Sequence, residues 1–111
     1  MTPTVTVVDY GMGNILSVTR ALEHCGAQAV LESAPSLIAR AEKLVLPGVG
    51  AFGHGMDELR QRGLVDALRE YAASGRPLLG ICLGMQMLLD GSDEFNESGA
   101  GAGLGLIPGW V

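Results

Sequence analysis

Basic residues are scarce in this chain. Seven Lys and Arg stand against twelve Asp and Glu, giving a formal net charge of −5, and the cations form no cluster. A phosphate backbone is bound by clustered cations, so nucleic acid is not an expected partner. Cysteine is equally sparse: Cys25 and Cys82 are the only two, with no C-x-x-C pair and no disulfide framework. His24 and His54, the only histidines, sit at no recognisable ligand spacing, so neither a metal nor a cofactor is expected. Long apolar runs are missing too. The longest, residues 77–89, is broken by Gly80, Gly84 and Gln86 and falls short of the roughly 20 residues that span a bilayer. The opening MTPTVTVVDY has neither the basic start nor the continuous apolar core of a signal peptide. A cytoplasmic protein without a membrane partner is the expectation.

What is present is enough apolar material for one core: 48% of 111 residues. TVTVVD (residues 4–9) is β-branched and stops at YGMGN, which predicts a first strand and a turn. From Asn14, a good N-cap, Ile15, Val18, Leu22 and Cys25 recur at helical spacing up to Gly26. Cys25 is therefore expected on the inner, core-facing side of that helix. Residues 27–32 read as a second strand, 33–41 as a short helix with Pro35 near its start, and 43–47 as a third strand. After a glycine-bearing loop come helices over 56–60 and 64–73, a strand over 78–81, a helix over 83–89 and a loop over 91–103. The closing LGLIPGWV reads as the start of another strand. Apolar strands alternating with helices predict an α/β fold, a mostly parallel sheet with helices on both faces. Residues 1–111 read as the N-terminal portion of a single larger domain, its sheet truncated at the C-terminus.

The loops after the strands of such a sheet gather on one edge, where ligands bind. YGMGN, PGVG and ICLG all follow strands and should meet there. Gly80-Ile81-Cys82-Leu83-Gly84 has the spacing of a nucleophile elbow, a tight strand-to-helix turn that projects its central side chain. A thiol at a helix N-terminus has its thiolate favoured by unpaired backbone N–H groups, and the N–H of Leu83 would face an oxyanion. The pentapeptide alone is equally compatible with a small apolar cysteine in a glycine-rich turn. Gly48, Val49 and Gly50 leave a stretch of backbone nearly bare of side chains, able to turn a second N–H donor toward a reacting carbonyl, although these residues alone read more readily as an ordinary turn after the third strand. Gly11 and Gly13 begin a dinucleotide-type pattern with Glu32 where a ribose-binding acid would stand, but position 16 is Leu, not the third glycine.

Together VVDYGMGNILSV, LPGVGAFGHGM, GICLGMQMLLDGSDEF and GLGLIPGWV resemble the glutamine amidotransferase subunit of imidazole glycerol phosphate synthase, within the class I (triad) amidotransferases. The resemblance runs nearly end to end. GICLGMQ marks the class broadly, whereas DYGMGN with PGVGAFG is more specific to the histidine-pathway subunit. It implies a flavodoxin-like fold, glutamine as substrate and Cys82 as the nucleophile that forms a glutamyl thioester. The oxyanion would be held by backbone matching Leu83 and the segment Gly48, Val49 and Gly50. Gln86 and Glu94 match positions that bind glutamine. The implied partner is a (β/α)8-barrel cyclase subunit that receives the ammonia, with YGMGN near it; Asn14 could serve that interface as well as the helix, and the cap is the preferred reading for its local mechanism.

One part of the family's pattern is missing. The class uses a His, with a Glu two residues on, well downstream of the cysteine, and no histidine follows Cys82 here. An α/β-hydrolase with a cysteine elbow and a flavodoxin-like binding module remain alternatives, the first leaving YGMGN and PGVG unexplained. The expected outcome for the chain alone is weak or no ammonia release from glutamine. Strong release on adding only the cyclase, with no further amidotransferase segment, would contradict the incomplete-triad reading.

Overall fold

A computed structural model describes residues 2–93 and 101–111. Four strands, β1 (Thr4–Val8), β2 (Gln28–Glu32), β3 (Leu44–Leu46) and β4 (Leu78–Gly80), pair in parallel in the order β2-β1-β3-β4. This is the beginning of the flavodoxin-like doubly wound order, which reverses direction between β1 and β3. The crossovers are α1 (Ile15–His24), α2 (Pro35–Ala39), α3 (Phe52–Gln61) with α4 (Leu64–Ala73), and α5 (Leu83–Met87) follows β4.

Side chains alternate across each strand and so feed two layers. Val5, Val7 and Val45 face α1, meeting Ile15, Val18 and Leu22. Val8, Leu44 and Leu46 face the other way, into a larger core with Ile38, Phe52, Met56, Leu59, Leu68 and Met87. The layers are unequal. Most of the fully buried large side chains belong to the α2–α5 side, whereas no residue of α1 is fully buried. An apolar groove lies open beside α1, lined by Val18, Leu22, Cys25, Leu79 and Ile81.

The expectation that Cys25 packs in the core is corrected. It is the C-cap of α1, its N–H reaching back to Ala21 and Leu22, and its thiol is free and exposed. The helix ends there because Gly26 takes φ +94°, the left-handed C′ conformation. At the other end the Asn14 side chain accepts from the Ser17 N–H at 3.2 Å, so the cap is formed as expected.

Most elements are one or two residues shorter at an end than the sequence reading gives them, and three differences are larger. α3 begins at Phe52, not Met56, and takes in Gly53 and Gly55. A Cβ at Gly55 would stand 2.8 Å from Met87 Sδ and 3.0 Å from Leu83 Cδ2, so this glycine lets α3 press against α5. The weak helix propensity that suggested a loop is thus offset by packing. Within 91–103, expected to be loop throughout, β5 (Gly91–Ser92) pairs antiparallel with β6 (Gly101–Ala102). Residues 104–111 do not extend the main sheet. Gly105 N–H bonds the Leu89 carbonyl, Leu106 N–H bonds that of Leu88, and Trp110 makes a single bridge to Gly91. Positive φ at Gly105 and Gly109 turns this segment around the end of α5. Among the described residues no helix is long and apolar enough to cross a membrane.

The unequal layers give a stability contrast. Leu59→Ala empties a fully buried site on the α2–α5 side and should cost about 2–5 kcal/mol. Leu16→Ala removes a side chain that is 59% exposed on α1 and should change stability by less than about 0.5 kcal/mol. Urea unfolding midpoints at constant slope measure both.

Candidate active site

The strand order reverses between β1 and β3, and the loops leaving their carboxyl ends lie together with the turn after β4. A Cβ at Gly13 would come within 3.2 Å of Gly48 N and Cα, while Gly50 lies against Met12. On its other side Gly48 packs against the elbow: its Cβ would meet Leu83 Cβ at 3.1 Å and Gly84 N at 3.2 Å. The three segments therefore touch through backbone, and small residues are required where they do.

Cys82 is the only non-glycine among the described residues with positive φ, at φ 54° and ψ −119°. Such a conformation costs about 1–3 kcal/mol and persists only where neighbouring structure enforces it. The enforcement is visible on both sides. Before the cysteine, Ile81 N–H bonds the Leu46 carbonyl at 3.0 Å, continuing the β3–β4 ladder. After it, Gly84 N–H bonds the Ile81 carbonyl at 2.9 Å and Gln86 N–H bonds that of Cys82 at 3.2 Å, starting α5 at once. Gly80 and Gly84 make so abrupt a turn possible. A Cβ at Gly80 would sit 2.8 Å from Met85 N, and one at Gly84 would collide with the Leu46 carbonyl oxygen. The result is an exposed, free thiol at the mouth of the loop cluster.

Leu83 N–H, one of the expected oxyanion donors, is engaged. It donates to the Gly48 carbonyl at 3.1 Å. The carbonyl of the Gly48–Val49 peptide thus occupies the place beside the thiol where an oxyanion would be bound. Gly48 is buried, whereas Val49 and Gly50 are exposed, and Gly50 takes φ +110°. Gln86, in α5 four residues beyond Cys82, is half-buried, and its backbone N–H bonds the Cys82 carbonyl. Glu94 lies outside the described residues.

The two histidines stand on α1 and α3. His24 closes the last turn of α1, about 15 Å along the helix from the loop end. His54 is exposed on α3, with Nε2 3.7 Å from Glu58 Oε1. Glu32, considered as a ribose ligand, instead accepts the N–H groups of Ser33 and Ala34 at 3.0 and 3.1 Å. Among the described residues no three His, Cys, Asp or Glu side chains gather as a metal site would require.

The sequence reading passed over two residues beside these loops. Tyr10 is fully buried and its hydroxyl donates to the Pro47 carbonyl at 2.6 Å. Burial holds its phenol well above the ordinary value. The available signal was an aromatic side chain directly between the last strand residues and a glycine turn. Arg62 reaches the first loop, its Nη2 standing where a Cβ on Gly11 would be 2.8 Å away, while Nε donates to Glu58 at 3.1 Å.

An elbow glycine should be separable by mutation from a glycine outside the elbow. Gly84→Ala drives a methyl into the Leu46 carbonyl and should cost about 3 kcal/mol or more. Gly75→Ala, at φ +79° with open space around it, should cost only about 1–2 kcal/mol. Chemical unfolding of the two variants checks the ranking.

Comparison with known proteins follows the same segments. Residues 6–93 match the family described as glutamine amidotransferase class-I. The chain is 51% identical over 107 residues to imidazole glycerol phosphate synthase subunit HisH of Sulfurimonas denitrificans, covering 96% of this chain and 50% of that protein. It is 54% identical over 107 residues to the subunit of the same name from Symbiobacterium thermophilum, with 96% and 49% covered. To that of Synechococcus elongatus it is 48% identical over 110 residues, with 99% and 49% covered. The chain thus spans about half the length of the curated relatives it matches. A solved Listeria monocytogenes protein named for peptidase E superposes with a TM-score of 0.66 at 16% identity, covering 80% of this chain and 50% of that one, which is a likeness of fold. The family match runs through the cysteine elbow and both glycine loops, and the chain belongs to the class I glutamine amidotransferase family.

Proposed function

We propose that this chain carries the nucleophile of a glutaminase, as part of the amidotransferase subunit of an imidazole glycerol phosphate synthase. Residues 1–111 would then form the N-terminal portion of one amidotransferase domain. The observation that carries this reading is the left-handed Cys82, held between β4 and α5 beside the Leu83 N–H and the Gly48–Gly50 backbone.

In the proposed reaction the Cys82 thiolate attacks the side-chain amide carbon of glutamine. The carbonyl electron pair moves to oxygen, and collapse of that oxyanion expels the protonated nitrogen as ammonia. A glutamyl thioester remains, and water cleaves it to glutamate and the free thiol. The Leu83 N–H is the proposed oxyanion donor, which requires the Gly48 carbonyl to withdraw. Rotation of the Gly48–Val49 peptide would do both tasks, releasing Leu83 and turning the Val49 N–H toward the same point. The glycine on one side and the exposed Val49 and Gly50 on the other leave room for it. Gln86, whose N–H bonds the Cys82 carbonyl, and Glu94 are assigned to glutamine binding, the carboxylate suiting the α-ammonium group.

The proton shuttle is assigned to polypeptide other than these residues, because His24 closes the far end of α1 and His54 faces Glu58. A cyclase barrel is the proposed consumer of the ammonia. Its docking side is the loop edge carrying Gly11 to Asn14, next to the thiol.

A glutamine analogue with an electrophilic ketone in place of the side-chain amide tests the nucleophile without needing turnover. Cys82 should be modified ahead of the equally free Cys25, glutamine should protect it, and Cys82→Ala should abolish the labelling. Equal modification of the two thiols, or no protection by glutamine, would overturn the assignment. Mass spectrometry of peptides carrying each cysteine reads the result.

A further inference from the structure

Two successive peptide units lead from β3 into the loop, and they are held in different ways. The Pro47 carbonyl is fixed from beneath by the buried Tyr10 hydroxyl at 2.6 Å. The next carbonyl, on Gly48, is held by the Leu83 N–H at 3.1 Å. That N–H is the group proposed above for oxyanion binding, so the second contact must be given up during reaction while the first need not be. Gly48 stands between them, and it has to be glycine: a Cβ there would run into the Tyr10 hydroxyl. Gly13 packs on Gly48 from the first loop, limiting where its backbone can go.

We propose that Tyr10 is a positioning residue for the oxyanion-binding segment, the fixed end that confines movement to the single Gly48–Val49 peptide. The inference rests on the glutaminase reading for its catalytic meaning, but the anchoring itself is a property of the fold. With Pro47 pinned, rotation about the Gly48 and Val49 backbone bonds moves one carbonyl off Leu83 without shifting β3 or the elbow. Without the pin, the Pro47–Gly48 peptide is free to move as well, and the closed arrangement over Leu83 loses its reference point. The phenol is a suitable pin because a buried tyrosine stays protonated and keeps donating across the working pH range. The ring also fills core volume next to Val8 and Leu46, so Tyr10→Phe removes the hydroxyl and keeps the packing.

Amide hydrogen exchange followed residue by residue tests this without reference to activity. In Tyr10→Phe the Leu83 N–H should exchange faster by roughly three- to tenfold, the range set by loss of one intramolecular hydrogen bond. The Ile81 N–H, bonded to Leu46 on the adjoining ladder, should keep its wild-type rate. No change at Leu83, or an equal rise at Leu83 and Ile81, would overturn the proposal, the latter showing only a general loss of stability. If Tyr10→Phe does not fold, Tyr10→Leu provides a second route: it also removes the hydroxyl, so Leu83 should again lose protection selectively, and retained protection would overturn the anchor. If the labelling test of Cys82 failed while these exchange results held, the glutaminase reading would fall and the anchor would stand.

Discussion

Backbone approaches backbone around Cys82 more closely than any side chain would permit, and the rest of the site depends on that proximity. Gly84 lies directly against the Leu46 carbonyl, Gly80 against the start of α5, and Gly48 between Tyr10 and Leu83. These contacts bring β3, β4 and α5 close enough for the chain to turn from strand to helix at one residue. The cysteine at that turn then has little choice of conformation, and its positive φ follows. A strained cysteine is thus the product of close backbone neighbours, each glycine removing a clash that would otherwise push the turn open.

The same crowding links the thiol to its surroundings. Leu83 N–H and the Gly48 carbonyl are within bonding distance because the β3 and β4 loops share one edge of the sheet. Parallel strands with a reversal between β1 and β3 place these loops there, and the first glycine loop joins them from β1. The candidate site is thereby concentrated at the carboxyl ends of three neighbouring strands, while stability resides largely below, in the core between the sheet and α2–α5. The α1 side is thinner, and its apolar groove beside Leu79 and Ile81 remains open.

Family resemblance and local geometry address different parts of the functional problem. Membership rests on the match over residues 6–93, whereas the pairing of the Leu83 N–H with the Gly48 carbonyl is visible only in the arrangement of two peptides. A sequence motif names the atoms able to bind an oxyanion. It does not say that a neighbouring carbonyl currently occupies one of them.

Periodicity and turn chemistry were enough to read the four strands, the capped α1 and the meeting of the glycine loops, because these depend on local preferences and on a general rule of parallel sheets. Boundaries failed where a distant contact outweighed a local preference: Gly53 and Gly55 looked like loop until Leu83 and Met87 were placed against α3. Cys25 carried the right spacing for a buried face, yet the helix ended around it and its neighbours left it exposed. Tyr10 was hidden for a similar reason, since its partner, the Pro47 carbonyl, lies 37 residues away in the chain. By itself the sequence determined the order of elements and the candidate nucleophile, both of which are properties of residue type and spacing. Only the tertiary structure decided which backbone groups are paired, because pairing depends on distances between segments that no local pattern encodes.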